Sequence, residues 1–123
     1  MRTLTTLLAT GAALVVLTHA TPARADAASG KNEFGICAGC HSITDTDGVG
    51  PHLNGVLGRK SGSVSGFNYS RSMKQANIVW DDQTLAAFIA DPQKTVPGNH
   101  MPFSGLQDPT QRADVIAYLK SLH

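Results

Sequence analysis

Cys37 and Cys40 stand three residues apart, and His41 follows directly, in the run Cys37-Ala38-Gly39-Cys40-His41. On a helical turn that spacing points both sulfurs the same way. Two thioethers could then pin the edge of a haem while the imidazole reaches its iron, and C-x-x-C-H is the signature of c-type haem attachment. Other chemistries compete for these residues. A zinc site wants four ligands, and the chain has no second Cys pair and only scattered His residues. A dithiol oxidoreductase should carry its C-x-x-C beside a βαβ pattern, which is absent. A disulfide closing so short a loop would constrain little of the unfolded chain.

A haem iron needs, or leaves open, a sixth position. Beyond the leader segment the thioethers are Met73 and Met101, and the remaining imidazoles there are His52, His100 and His123. Met101 stands out by its setting, Pro97-Gly98-Asn99-His100-Met101-Pro102-Phe103. Prolines stiffen the loop on both sides and Gly98 allows a sharp turn, so a sulfur could be held there without a helix. Ligation by Met and His favours reduced iron, which suits electron transfer. His100 reads as solvent-facing, His52 as a loop residue packed by its neighbours, and His123 as a frayed terminus.

Three helical segments must position these groups, and the expected class is all-α with long loops. The first runs roughly from Ala28 to Cys40, with Phe34 and Cys37 on one face. The second starts after Trp80. Asp81 can cap it with Thr84 three residues on, Trp80 can pack on Leu85, and Pro92 stops it near Asp91. The third begins at Asp108 and Pro109, Gln111 can complete a capping box, and Ala113, Ile116, Ala117, Leu119 and Leu122 form its apolar stripe. Only Ile78-Val79-Trp80 looks strand-like. The stretch from Gly48 to Gly66 holds six glycines. A loop of that length needs something to wrap.

The chain has 123 residues, with 10 Lys+Arg against 9 Asp+Glu. That excludes a two-domain enzyme, a disulfide scaffold and a basic nucleic-acid binder. Met1-Arg2, the apolar run from Leu7 to Leu17 and Ala23-Arg24-Ala25 read as a secretory leader over 1–25, cleaved after Ala25. The run is too short for a comfortable membrane anchor, so no stable membrane insertion is expected. The domain is then 26–123. Losing Arg2 and Arg24 leaves 8 basic against 9 acidic residues, a net charge of −1. The expected location is the periplasm. A domain this size with few large apolar side chains has a thin core, which a cofactor could complete.

Together these features resemble the class I cytochrome c family, bacterial periplasmic or mitochondrial-like. Besides C-x-x-C-H, the resemblance rests on Gly50-Pro51-His52-Leu53, the run from Gly55 to Gly62, Gly66-Phe67-Asn68-Tyr69, Trp80, the Met101 loop and Val115-Ile116-Ala117-Tyr118-Leu119-Lys120. It implies one haem c on Cys37 and Cys40, with His41 and Met101 as the iron's ligands. By the same resemblance the Pro51 carbonyl takes the other His41 N–H. Arg59, Tyr69 and Trp80 lie near a haem propionate, where their N–H and O–H groups suit a buried carboxylate. Asn99 belongs to the haem-side set, and Gly30, Phe34 and Tyr118 mark the crossing of the first and last helices.

Three positions depart from the family. Phe88 stands where Tyr is common, Met73 where Asn is common, and Asn99 where Thr is common, so the polar network beside the haem should be altered. The lysine ring of mitochondrial relatives is also thin here. Docking should therefore lean on apolar contact around Ile36, Ala38, Val96 and Phe103. The resemblance implies a monomeric one-electron carrier, not an enzyme, serving membrane or soluble redox proteins. The competing function is a haem sensor or peroxidase-like enzyme with a labile sixth ligand.

Overall fold

The computed structural model describes Val16 and residues 23–123. The leader read over Met1–Ala25 therefore lies, except for Val16 and its last three residues, outside the described residues. Among the described residues six helices follow one another: α1 (Ala27–Glu33), α2 (Gly35–Ala38), α3 (Arg71–Gln75), α4 (Asp82–Ala90), α5 (Pro92–Thr95) and α6 (Pro109–Lys120). Among the described residues the only β pairing is a single antiparallel bridge, Lys60 with Val79. None of the described helices is long and apolar enough to cross a membrane.

The frame is α1, α4 and α6. Asp26 caps α1, its carboxylate accepting from the Ala28 and Ser29 N–H groups at 3.1 Å each. Its own N–H donates to Asp114 Oδ1 at 2.7 Å, tying the start of α1 to α6. The helices touch at Gly30, where a Cβ would run into the Asp114 carbonyl and lie 3.0 Å from Tyr118 Cβ. Only a residue without a Cβ lets the two backbones come so near. One turn on, the Phe34 and Tyr118 rings pack with centroids 5.5 Å apart and planes tilted by 60°. Val115, 1% exposed, is the innermost side chain of the frame.

Helix α4 forms as its caps predict. Asp81 Oδ1 accepts the Thr84 N–H at 2.8 Å, and the Thr84 hydroxyl oxygen accepts the Asp81 N–H at 2.8 Å. Trp80 and Leu85 are both buried in the core beneath it. The Asp91 carboxylate then accepts from the Lys94 N–H at 3.1 Å. Pro92 thus ends α4 and opens α5, since Pro suits a first turn and not a helix interior.

The sequence reading needs four corrections. The first helix is broken at Phe34, where the Cys37 N–H turns to the Phe34 carbonyl at 2.8 Å, an i to i−3 bond, and Gly35 is a poor helix former. The short helices α3 and α5 were not expected; each is a single capped turn whose signal is local hydrogen bonding and not periodicity. Asp108 caps α6 through the Thr110 and Gln111 N–H groups, but the Gln111 side chain makes no reciprocal bond. The apolar face of α6 is broader than the expected stripe, which holds at Ile116 and Leu119 and, packed against the core, at Leu122. Val115, Ile116, Tyr118 and Leu119 are buried whereas Ala113 is exposed, because this helix meets α1 on one side and α4 on the other.

Candidate functional site

One cavity of about 410 Å³ opens between the frame and the loops. Its walls are mostly apolar, with Phe34, Val56, Leu85, Phe88, Val115 and Leu119 supplied by helices and by the Gly48–Gly66 loop. Cys37, Cys40, His41, Pro51, Arg59, Tyr69, Trp80, Asn99 and Met101 all line it. Residues far apart in sequence are thus gathered around one space large enough to need a guest.

α2 and the turn after it place the two sulfurs and the imidazole. The Cys40 and His41 N–H groups both donate to the Cys37 carbonyl, at 3.0 and 2.9 Å, so the motif is one tight turn. Both cysteines are free thiols in the protein chain. Burial, and next the neighbouring Cys40, pushes the Cys37 thiol up. That is opposite to the lowered thiol of a dithiol oxidoreductase. Among the described residues no group of three His, Cys, Asp or Glu side chains could hold a bare metal ion.

His41 is held by its ring. Its Nδ1 lies 2.7 Å from the Pro51 carbonyl oxygen, which can only accept, so Nδ1 carries the proton and Nε2 keeps a free lone pair. Gly50 lies under the ring: a Cβ there would enter it, closer to Cε1 than any real contact and 2.7 Å from Nδ1. In the sequence Gly50 stands in the Gly50-Pro51-His52-Leu53 motif with no sign of this role beyond the Gly-Pro pair, one turn of loop away from the imidazole it serves.

Arg59 reaches the cavity from the bridge region. Its Nη1 and Nη2 donate to the His52 and Asn54 carbonyls at 2.6 Å each. Among the described residues no carboxylate lies within ion-pair distance of it. A half-buried guanidinium with three N–H groups to spare suits an anionic guest. Burial pushes the Tyr69 phenol up, so it stays a donor beside Arg59. Trp80 packs on Phe88 with ring centroids 5.1 Å apart. His52 is engaged elsewhere, its Nδ1 lying 2.7 Å from Asp47 Oδ1, and His100 and His123 are exposed.

The polar departures resolve unevenly. Phe88 is buried and Met73 half-buried, which leaves the wall between them apolar. Asn99 uses both amide hydrogens and its carbonyl on nearby main chain, and so has no donor left for a network beside the haem. Of the expected docking residues, Ile36 is 57% exposed but Val96 is 3% exposed. Val96 cannot meet a partner: it turns inward because its carbonyl and that of Pro92 anchor the Met101 loop.

Two cysteines on one turn, an imidazole with one nitrogen fixed, a thioether, a free cation and an apolar cavity fit a covalently attached haem c. The Cytochrome c family model matches residues 27–123. The chain is 45% identical over 115 residues to cytochrome c2 of Rhodomicrobium vannielii, covering 92% of this chain and 91% of the relative. It is 49% identical over 90 residues to cytochrome c2 iso-2 of Magnetospirillum fulvum, covering 72% and 94%. Among solved structures, cytochrome cH from Methylobacterium extorquens aligns with a TM-score of 0.76 at 43% identity, over 78% of this chain and 98% of that one.

Proposed function

This chain belongs to the cytochrome c family and carries one covalently attached haem c; from that premise we propose that it is a soluble one-electron carrier in which His41 and Met101 would hold the haem iron. The bound haem supplies reversible storage of one electron at its iron, which no side chain here could provide. The observation that carries the ligand reading is the His41 Nδ1 bond to the Pro51 carbonyl at 2.7 Å, which aims the unprotonated Nε2 away from the loop.

The other residues do plain physical work. Cys37 and Cys40 fix one edge of the group by thioether bonds. Leu85, Phe88 and Val115 exclude water, so less solvent has to reorganise when charge changes. Arg59, Tyr69 and Trp80 line the cavity and would donate to the haem carboxylates, which would otherwise be buried bare. No substrate is transformed, so the protein is a carrier and not an enzyme. The leader is cleaved after Ala25 and the mature domain 26–123 works in the periplasm, between membrane or soluble redox proteins. Ile36 and Val49 line the cavity yet stay 57% and 75% exposed, which supports docking by apolar contact. Reduction by a physiological partner should therefore change little with added salt; a steep fall would refute apolar docking.

The oxidised spectrum tests the ligands. The iron–sulfur charge-transfer band is expected in the wild type and absent in Met101→Ala, with low-spin six-coordinate haem in the former. A high-spin resting state that binds carbon monoxide readily would instead indicate an open sixth position.

A further inference from the structure

Asn99 stands two residues before Met101, and its buried side chain spends all its bonds on main chain. Nδ2 donates to the Pro92 and Val96 carbonyls at 2.9 Å each, and Oδ1 accepts the Met101 N–H at 2.9 Å. From the outer side, Gln93 Nε2 donates to the Asn99 carbonyl at 2.9 Å and its Oε1 accepts the Gly98 N–H at 3.1 Å. The segment from Val96 to Phe103 has no helix of its own. Two of its residues are prolines without an N–H, and Gly98 turns at φ +83°. Besides these two amides, the loop is held by the Asn99 N–H bond to the Val96 carbonyl at 3.1 Å and the Phe103 N–H bond to the Met101 carbonyl at 2.9 Å.

We propose that Asn99 is a positioning residue for the sixth ligand, holding Met101 in place from behind, and that Gln93 seconds it. This rests on the reading of Met101 as axial ligand. Asn99 lines the cavity, but direct contact with a haem carboxylate is not its role, because both amide hydrogens are already committed. A hydroxyl could not replace it, since one hydrogen cannot serve two carbonyls. Without the amide, the Pro92 carbonyl loses a partner in a buried setting, the Val96 carbonyl keeps only the Asn99 N–H, and the Met101 N–H is released. The loop is then free to sample positions in which the thioether is withdrawn. Any exogenous donor competes with Met101 in proportion to that withdrawn population.

Titration of the oxidised holoprotein with imidazole reads that population directly, one neutral donor replacing another. Asn99→Leu should bind imidazole about ten- to thirtyfold more tightly than wild type, as expected for losing two or three ordinary hydrogen bonds. Its charge-transfer band should weaken and the Met101 amide should exchange faster. Gln93→Ala should move the same way by less. Because Gln93 is exposed, that variant carries the test if Asn99→Leu does not fold. Asp81→Ala weakens a helix cap outside the Met101 loop and should leave imidazole affinity unchanged, which separates positioning from general stability. Wild-type affinity in Gln93→Ala and in any Asn99→Leu that folds, with a normal band, overturns the proposal alone. Absence of the band in the wild type overturns the ligand reading and this proposal with it.

Discussion

The helical frame and the loop belt hold themselves together differently. In the frame, protein packs on protein: α1 and α6 meet at Gly30, Phe34 lies on Tyr118, and Val115 is sealed between them. The belt from His41 to Ser70 has no helix, turns at positive φ through Gly55, Gly58, Gly62 and Gly66, and relies in part on local bonds such as Arg59 to the His52 and Asn54 carbonyls. Its apolar side chains, Leu53 and Val56 among them, face the cavity. The frame packs largely on itself and lends one face to the cavity, whereas the belt has little to pack on besides a guest. Damage to the frame should therefore cost stability first, and damage to the belt should cost ligation first.

The largest expected effect is in the frame. Gly30→Ala drives a methyl into the Asp114 carbonyl and should cost about 3 kcal/mol or more in denaturant unfolding. A loss under about 1 kcal/mol would show that the helices can part there cheaply, and would break the comparison. Next comes the belt's counterpart. Gly50→Ala pushes the His41 ring from its place, so visible spectra should show disturbed ligation while far-ultraviolet dichroism keeps its helical signal. Loss of both signals together would mean that frame and belt are one cooperative unit.

Asp81→Ala should lower the melting temperature by several degrees and leave the haem spectrum alone. Hydrogen bonds from the Thr84 N–H and hydroxyl hold the Asp81 carboxyl below its ordinary 3.8. A lowered native value stabilises the fold above the unfolded value, and this is lost as pH falls through the lowered one. The gap between wild type and Asp81→Ala should therefore narrow in acid melts below pH 3.8. The smallest effect is at the exposed Lys120–Asp82 pair, 2.9 Å apart, where Lys120→Met should cost about 0.5 kcal/mol or less.

The sequence spoke most clearly where a side chain acts on its own neighbours. Asp81 with Thr84, and Asp108 with Pro109, announced α4 and α6 because a cap is a three-residue event. Cys37, Cys40 and His41 announced chemistry for the same reason. Legibility fell where the cause was distant. The extension of the buried α6 face to Val115 depends on α1 and α4 together, and no stripe within one helix can report two neighbours. Val96 looked like a surface residue because its inward turn is set by the Asn99 amide bonding its carbonyl. Asn99 itself was read through a resemblance, as part of the haem's surroundings. Its three main-chain bonds became visible only with Pro92, Val96 and Met101 in place.

The contact at Gly30 also orders events in time. Its partners, Asp114 and Tyr118, lie far along the chain in α6, so the frame cannot close until both distant segments come together. Joining segments so far apart carries a loop-closure cost that nearer contacts escape. Until then the turn bearing Cys37 and Cys40 belongs to an unsealed segment, open to whatever machinery must reach the two sulfurs.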